Sequence, residues 1–507
     1  MAEKREEPKP AEIKVIKQTS EVKETTSSAT PAQDHVVETR HSVTIGGQPV
    51  KYTALAGTMV IKEETAEREK EFEGEKGRAQ IFFVAYTRDD VEDRSKRPIT
   101  FCFNGGPGSS SVWLHLGLLG PRRAVLQEDG SLPPPPFKLT DNEYSLLDET
   151  DLVLIDPVST GYSRPVAGEK AKEWHGFKKD ISSVGDFIRL YATRNNRWLS
   201  PKFLIGESYG TTRASALAGY VQERHGMYLN GIILVSAALD FTTLDFLVNN
   251  DVPYVLFLPA YAAAAWYHHK LKVRKPLRGF LKEVEKFAAG EYATALLKGD
   301  ALTRREREQM IQKLSRYTGL SADFIERSNL RINDQHFFKE LLRERGQTVG
   351  RLDSRFLGLD RLGVTESPEY DPLLTNVTGP YTAGFYDYVR SELNFEADRS
   401  YEVFSEFVLP WSYAEFEGKF VNVGETLRAA MTHNPYLKVF VANGYFDLGT
   451  PYFATEYTLN HLGLHDSLRK NISMGYYEAG HMMYIHLPSL AELKGNLTTF
   501  MRQAVPA

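Results

Sequence analysis

The pentapeptide Gly206–Gly210, GESYG, places a serine between two glycines. It follows the apolar run PKFLIG and precedes TTRASALAGYV, a small-residue stretch that favours a helix. A sharp strand-to-helix turn in this context lifts a serine hydroxyl off a sheet, and the flanking glycines leave room for that turn. We therefore interpret Ser208 as a nucleophile for acyl transfer. A chance match in a loop is the alternative.

A serine nucleophile needs a base and an acid that orients the base, and on such a sheet they follow in the order serine, acid, histidine. Asp447 in NGYFDLGTP and His481 in YYEAGHMMYIHLP fit that order, each just after an apolar run. Catalytic groups gather at such strand ends in open α/β sheets. The alternatives are a turn aspartate for Asp447 and a structural histidine for His481, since the chain has 13 histidines.

The segment Asn104–Ser111, NGGPGSSS, directly follows the apolar run ITFCF. A glycine-rich loop at a strand end presents backbone N–H groups to an anion, which in acyl transfer is the oxyanion of the tetrahedral intermediate. A tight glycine turn is the simpler alternative. A P-loop for phosphate is excluded because no Gly-Lys-Ser/Thr sequence follows.

Short apolar runs, each followed by a loop and a helical stretch, position these motifs. They lie at 98–104, 151–156, 201–206, 230–237, 437–444 and 471–480. Such continuous runs are typical of a mostly parallel sheet covered by helices on both faces, which predicts the α/β class. Alternation of apolar and polar residues around Gly46-Gly47 predicts a hairpin, and 78–87 a further strand.

The stretch after residue 245 interrupts this rhythm with helical spacing and a capping box at Thr303 and Glu306. Its uncharged run Val252–Tyr267 has 16 residues and two prolines, too short and too broken for a membrane span. Residues 1–40 contain no Phe, Trp or Tyr and predict a disordered tail. We expect core segments at 41–245 and 401–507, separated by a mainly helical cap insertion at 246–400.

Composition limits the function classes. The chain has 507 residues and a formal net charge of −5, which gives no support to nucleic-acid binding. Its single cysteine, Cys102, excludes an intramolecular disulfide and argues against a cysteine-based zinc site. Nothing indicates a metal, a cofactor or an oligomeric state.

Residues 1–30 lack the apolar centre of a signal peptide. We expect a cytoplasmic protein if Met1 is the native start, and a secreted or periplasmic one if a signal peptide was removed.

Five motifs together resemble the serine carboxypeptidase family, peptidase family S10. They are NGGPGSSS, DPVSTGYS, GESYG, NGYFDLGTP and GHMMYIHLP, in the order and context of that family, over roughly residues 80 to 500. The Ser-Ser pair after NGGPG and the near-absence of cysteine resemble its bacterial branch. The resemblance implies an α/β-hydrolase fold with a helical cap. It also implies a peptide substrate with a free C-terminus, and neither a nucleic-acid nor a membrane partner.

The family's functional residues can be assigned to matching positions of this chain. The resemblance implies that Ser208 is the nucleophile, His481 the general base and Asp447 the group that holds the imidazole. The backbone N–H groups of Gly106 and Tyr209 would then form the oxyanion hole.

Substrate binding is implied for Asn104, Gly105 and Glu207, of which Asn104 and Glu207 would hold the substrate's C-terminal carboxylate. Two carboxylates repel each other unless one is protonated, so a protonated Glu207 is expected to donate the hydrogen bond and to favour acidic pH. The chain departs from the family at two positions. Leu118 stands where the family has a second carboxylate-binding glutamate, and Cys102 where it has a tryptophan.

These departures leave alternatives to a serine carboxypeptidase. An esterase, amidase or acyltransferase would use the same triad without a strict need for a free C-terminal carboxylate. A binding or scaffold protein on the same fold is a third hypothesis, against which the complete set of serine, aspartate and histidine argues.

Overall fold

The computed structural model describes residues 32–64 and 74–505. Its strands are β1 (His35–Ile45), β2 (Gln48–Glu64), β3 (Glu75–Arg88), β4 (Ile99–Phe103), β5 (Arg122–Ala124), β6 (Leu139–Asp141), β7 (Asp151–Ile155), β8 (Arg164–Pro165), β9 (Lys202–Ser208), β10 (Gly231–Ala237), β11 (Thr348–Val349), β12 (Leu357–Gly358), β13 (Lys438–Gly444) and β14 (Ile472–Tyr477). Its α-helices are α1 (Val112–Leu114), α2 (Phe177–Arg194), α3 (Tyr209–His225), α4 (Val252–Tyr267), α5 (Leu277–Phe287), α6 (Ala293–Lys298), α7 (Arg304–Thr318), α8 (Ala322–Arg327), α9 (Asp334–Glu340), α10 (Pro372–Ser391), α11 (Gly424–His433), α12 (Tyr452–Asn460), α13 (Asp466–Arg469) and α14 (Leu487–Ala504).

One ten-stranded sheet dominates the described chain, in the order β1-β2-β3-β7-β4-β9-β10-β13-β14, with β8 paired to β3. From β7 to β14 along this order all neighbours are parallel, whereas β1, β2 and β3 join antiparallel at one edge. The apolar runs therefore form the mostly parallel sheet that they predict.

The apolar strands are buried on both faces, as the central strand β10 illustrates. Ile232 and Leu234 pack on one face in a cluster with α2, α3 and α11. Ile233 and Val235 pack on the other face in a cluster with α10 and α14. Successive side chains of a strand point to opposite faces, so a continuous apolar run is what a sheet between two helical layers needs.

The predicted hairpin is present. Ile45 pairs with Gln48 across Gly46 and Gly47, both of which have positive φ, as a tight two-residue turn requires. The predicted tail at 1–40 agrees less well. Residues 1–31 lie outside the described residues, but β1 begins at His35, so 35–40 belong to the sheet. Their backbone pairing with β2 needs no aromatic residues, which is why composition did not indicate it.

The helices after residue 245 divide into two groups. Those from α4 to α9 pack in one apolar cluster together with Tyr445, Phe446, Leu448 and Tyr452, and α7 begins with the predicted capping box of Thr303 and Glu306. Helix α10 instead packs against the sheet through Val377 and Phe385. Within the predicted insertion, this cluster therefore ends at Val349, before the predicted boundary at 400. No helix in the described ranges is both long and apolar enough to cross a membrane.

Candidate active site

Four of the sequence motifs meet at one edge of the sheet. Asn104 directly follows β4, and Ser208 is the last residue of β9. Asp447 lies in the loop after β13, and His481 lies in the loop after β14. Because these strands are parallel, their carboxyl ends point the same way, and the sheet brings the four motifs together at the edge where ligands bind in such folds.

Ser208 sits in a strained turn between β9 and α3. Its backbone has φ 59° and ψ −130°, a conformation that favours glycine. The turn is also tightly packed, because a side chain on Gly206 would overlap the carbonyl of Gly210. A Cβ on Gly210 would lie 2.9 Å from the carbonyl oxygen of Phe103. The two glycines of GESYG therefore serve close packing, and the serine carries the strain.

Asp447 and His481 form a buried pair. His481 Nδ1 lies 2.7 Å from Asp447 Oδ2, and Asp447 also accepts from the Gly449 N–H at 2.8 Å and from the N–H and hydroxyl of Thr450. Burial raises the pKa of Asp447, but His481 and these donors outweigh burial and hold it below its usual value. Burial lowers the pKa of His481, but Asp447 outweighs burial and keeps it raised. Asp447 is therefore suited to fix the imidazole tautomer and to stabilise an imidazolium.

The backbone of His481 is held on two sides. Its N–H donates to the Leu352 carbonyl at 2.7 Å, and its carbonyl accepts from the Ser236 hydroxyl at 2.7 Å. Ser208 and His481 are both described, and no hydrogen bond joins their side chains. Catalytic contacts of this kind often tighten only around a bound substrate.

The glycine-rich loop rests directly on the first turn of α3. A Cβ on Gly105 would lie 2.5 Å from the Tyr209 nitrogen, so only glycine permits this approach. Gly106 has φ 100°. In the described chain, neither the Gly106 N–H nor the Tyr209 N–H donates a hydrogen bond. Two such donors, one of them on the residue after Ser208 and the other on the loop that rests on α3, are what an oxyanion hole requires.

Glu207 and Asn104 put a second polar feature beside the nucleophile. Glu207 is fully buried, and burial raises its pKa to about 7 in spite of the nearby His481 charge. The Asn104 Oδ1 accepts from the Leu114 N–H at 3.1 Å. Its Nδ2 is buried without a well-formed hydrogen bond, although the amide is close enough to lower the pKa of Glu207. This amide donor is available to an anion that binds beside Glu207.

A buried ion pair between helices α2 and α3 supports the Asn104 loop. Sequence reasoning did not identify this pair. Arg213 on α3 is fully buried and donates to Asp180 on α2 at 2.8 Å and to the Asn104 carbonyl at 2.6 Å. Asp180 lies outside every segment quoted above, and Arg213 lies in the helical stretch TTRASALAGYV, where it was assigned no role. Both are spaced like ordinary helix residues, so the sequence offers no signal for the pair.

A return segment, residues 351–354, supports the candidate base and acid from the other side. It carries the chain back from helices α4 to α9. Its Asp353 carboxylate accepts the Gly480 N–H at 2.9 Å, and its Leu352 carbonyl accepts the His481 N–H. Further backbone bonds join it to Phe446 and Leu448, on either side of the candidate acid. Sequence reasoning assigned this segment to the insertion and gave it no role at the site.

The two departures from the family pattern are buried and apolar. Cys102 lies within β4, in the core. Leu118 is fully buried in the turn after α1 and makes core contacts, so it brings no second carboxyl to Glu207. Within residues 32–64 and 74–505, no group of three His, Cys, Asp or Glu side chains is arranged to hold a metal ion.

Comparisons with known proteins agree with these motifs. A family model described as serine carboxypeptidase matches residues 72–485. The pheromone-processing carboxypeptidase KEX1 of Saccharomyces cerevisiae is 31% identical over 161 residues, which are 30% of this chain and 20% of the yeast protein. The match thus spans a fifth of that relative's length. The crystal structure of KEX1(delta)p, a prohormone-processing carboxypeptidase from the same yeast, covers 89% of this chain and 91% of its own, with a TM-score of 0.53 and 17% identity. This similarity and the sheet order confirm the predicted α/β-hydrolase fold.

Proposed function

Because the chain belongs to the serine carboxypeptidase family, we propose that it removes C-terminal amino acids from peptides through Ser208, His481 and Asp447. The observation that carries the proposal is the combination at one sheet edge. A strained serine and a buried histidine–aspartate pair could cleave an acyl bond, and the buried Glu207 beside them could select a free carboxylate.

The first half of the reaction forms an acyl-enzyme. Ser208 Oγ attacks the carbonyl carbon of the last peptide bond while His481 Nε2 takes the hydroxyl proton. The N–H groups of Gly106 and Tyr209 hold the oxyanion of the tetrahedral intermediate. When the C–N bond breaks, His481 returns the proton to the leaving amine, and the C-terminal amino acid departs.

The second half releases the shortened peptide. Water attacks the Ser208 ester, and His481 takes a proton from the water. The second tetrahedral intermediate collapses with the proton returned to Ser208 Oγ. Asp447 keeps Nδ1 of the imidazole protonated throughout, so that Nε2 faces the reacting atoms.

Recognition of the free C-terminus is assigned to Asn104 and Glu207. The buried Nδ2 of Asn104 donates one hydrogen bond to the substrate carboxylate. Glu207 donates a second when it is protonated, and repels the substrate carboxylate when it is not. Because burial raises the pKa of Glu207 to about 7, the preference for a free C-terminus should hold at acidic pH and fade as the pH rises through neutrality.

The alternative is a broader acyl hydrolase or acyltransferase. The buried, aliphatic Leu118 favours it, because position 118 then supplies no acid that could help Glu207 bind the substrate terminus. This alternative keeps the roles of Ser208, His481 and Asp447 and drops the requirement for a free carboxylate.

The test compares N-blocked dipeptides with a free acid, amide or ester C-terminus, from pH 4 to pH 9. We expect kcat/KM to be higher for the acid than for the amide below pH 7. The acid-to-amide ratio of kcat/KM should fall at higher pH. Both substrates need the same protonation state of His481, so the ratio reports the ionisation of Glu207 alone. Glu207→Gln keeps a donor and cannot ionise, so its ratio should not fall. Ser208→Ala should abolish turnover of all three substrates.

Two results would contradict the proposal. A wild-type acid-to-amide ratio near one at every pH would leave the triad and favour the broader acyl hydrolase. Full activity of Ser208→Ala would remove the assigned nucleophile altogether.

A further inference from the structure

We propose that Tyr484 is a positioning residue for carboxylate recognition: its hydroxyl holds one oxygen of Glu207 and thereby directs the other oxygen, and its proton, towards the substrate. The inference rests on the function proposed above and deepens it. Tyr484 lies three residues after His481, in a 3₁₀ turn at Met483–Ile485.

The hydrogen bond that carries the inference is short and buried. Tyr484 Oη lies 2.6 Å from Glu207 Oε2, and both residues are buried. The other oxygen, Oε1, accepts no well-formed hydrogen bond within the described chain. Burial holds the pKa of Tyr484 well above its usual value, so its hydroxyl keeps its proton and donates to Glu207.

Tyr484 makes the short, well-formed hydrogen bond to Glu207, and this bond favours one position for the Glu207 proton. A neutral carboxyl group has one carbonyl oxygen, which is the better acceptor, and one hydroxyl oxygen. With Tyr484 donating to Oε2, the carbonyl form is favoured there, and the proton is left on Oε1. Glu207 then presents a donor, and the substrate carboxylate is the complementary acceptor.

The position of Tyr484 is fixed by close packing on Gly117. This glycine lies in a π-helical turn, His115–Leu119, directly after α1. A Cβ there would overlap the Tyr484 ring and lie 2.7 Å from the Tyr381 hydroxyl. The next residue, Leu118, points into the core. The turn at His115–Leu119 thus leaves space for the Tyr484 ring and contributes no carboxyl group to the site.

The pH dependence of the site depends on all the groups that act on Glu207. His481 and the nearby donors lower its pKa, whereas burial and Asp447 raise it. Arg351 acts on His481 and lowers its pKa. The charged, titratable and polar groups that act on Glu207 come from five parts of the fold. They are Asn104 in the loop after β4, Tyr381 on α10, Asp447 in the loop after β13, His481 in the loop after β14, and Tyr484 in the 3₁₀ turn.

The test is Tyr484→Phe, which keeps the ring and removes the hydroxyl. Below pH 6 we expect the acid-to-amide ratio of kcat/KM to fall about tenfold through a higher KM for the acid, because Glu207 loses the bond that orients it. The pH midpoint of the ratio should rise by about one unit, because a donor to the charged form is lost. Amide turnover should change little, which reports that the site is still folded.

The matched control is Tyr388→Phe. Tyr388 is buried on α10, and its hydroxyl lies 2.9 Å from that of Tyr86, so this variant also removes one buried hydrogen bond. It should leave both the ratio and its midpoint at their wild-type values. If Tyr484→Phe fails to fold, Gly117→Ala offers a second route, since its methyl group must displace the Tyr484 ring, and it should lower the ratio as well.

The outcomes separate this inference from the proposed function. A high wild-type ratio that neither Tyr484→Phe nor Gly117→Ala alters would overturn the role of Tyr484 and leave the carboxypeptidase assignment intact. A wild-type ratio near one would overturn both. A lowered ratio with a midpoint shifted to higher pH supports the inference, because loss of packing alone would not move that midpoint upward.

Discussion

Replacing Ser208 by glycine should stabilise the fold while it destroys activity. The serine backbone has φ 59° and ψ −130°, which glycine adopts without penalty. Its hydroxyl makes no hydrogen bond in the described chain, so removing the side chain loses no bonded partner. Ser208→Ala is the proper reference, because alanine also lacks the hydroxyl but keeps the Cβ and hence the strain.

The expected gain follows from two opposing terms. A non-glycine residue in such a conformation costs about 1–3 kcal/mol. Glycine increases the freedom of the unfolded chain and gives back about 0.4–1 kcal/mol. The net gain of Ser208→Gly over Ser208→Ala is therefore about 1 kcal/mol. In domains of 150–250 residues that shifts Tm by about 2–4 °C, so a rise of about 1–2 °C is expected for this larger protein.

Thermal melts of both variants at one scan rate measure the difference, since a protein of this size can unfold irreversibly. Ser215 provides the matched control. It lies inside α3 with its hydroxyl unpaired, so Ser215→Gly should be less stable than Ser215→Ala by about 1 kcal/mol. If Ser208→Gly melts at or below Ser208→Ala while the Ser215 pair behaves as expected, the elbow stores no strain and the reasoning fails.

Two further predictions concern buried carboxyl groups. Asp447→Asn should lower kcat about 10⁴-fold, because the asparagine favours the wrong tautomer of His481; a dipeptide assay that finds kcat unchanged would contradict this. Asp156 is fully buried, and burial raises its pKa to about 6 from 3.8, so it binds its proton more tightly in the folded state. Stability should therefore rise by about 3 kcal/mol as the pH falls from above 6 to below 4. Asp156→Asn should lose that increment in urea unfolding, and equal pH slopes in the two proteins would refute it.

Local sequence signals were sufficient to predict most strands of the main sheet and the positions of Ser208, Asp447 and His481 at strand ends. Each of these residues stands in a short motif directly beside an apolar run, and parallel strands place such ends at one edge. The pattern of glycines around Ser208 also indicated the tight turn, because close backbone approach requires glycine at fixed offsets.

Contacts between distant parts of the chain were not predictable in this way. Tyr484 and Glu207 are 277 positions apart, and Gly480 and Asp353 are 127 apart, so no local spacing indicates either hydrogen bond. Helix α10 has ordinary amphipathic spacing, which does not distinguish a helix of the insertion from one that packs on the sheet. The start of β1 was missed because edge pairing depends on the backbone.

The return segment at 351–354 limits which chimeras of this protein would keep the candidate site supported. Helices α4 to α9 share one apolar cluster, so another cap could replace them only if it kept the contacts with Tyr445, Phe446, Leu448 and Tyr452. The chain that leaves them, however, bonds to both loops that carry Asp447 and His481. A chimera joined after this segment would replace the native hydrogen bonds to the loops that carry Asp447 and His481. A chimera joined near residue 348 would keep them. Sequence differences between related proteins should follow the same limit. We expect them to be frequent in helices α4 to α9 and rare in the return segment.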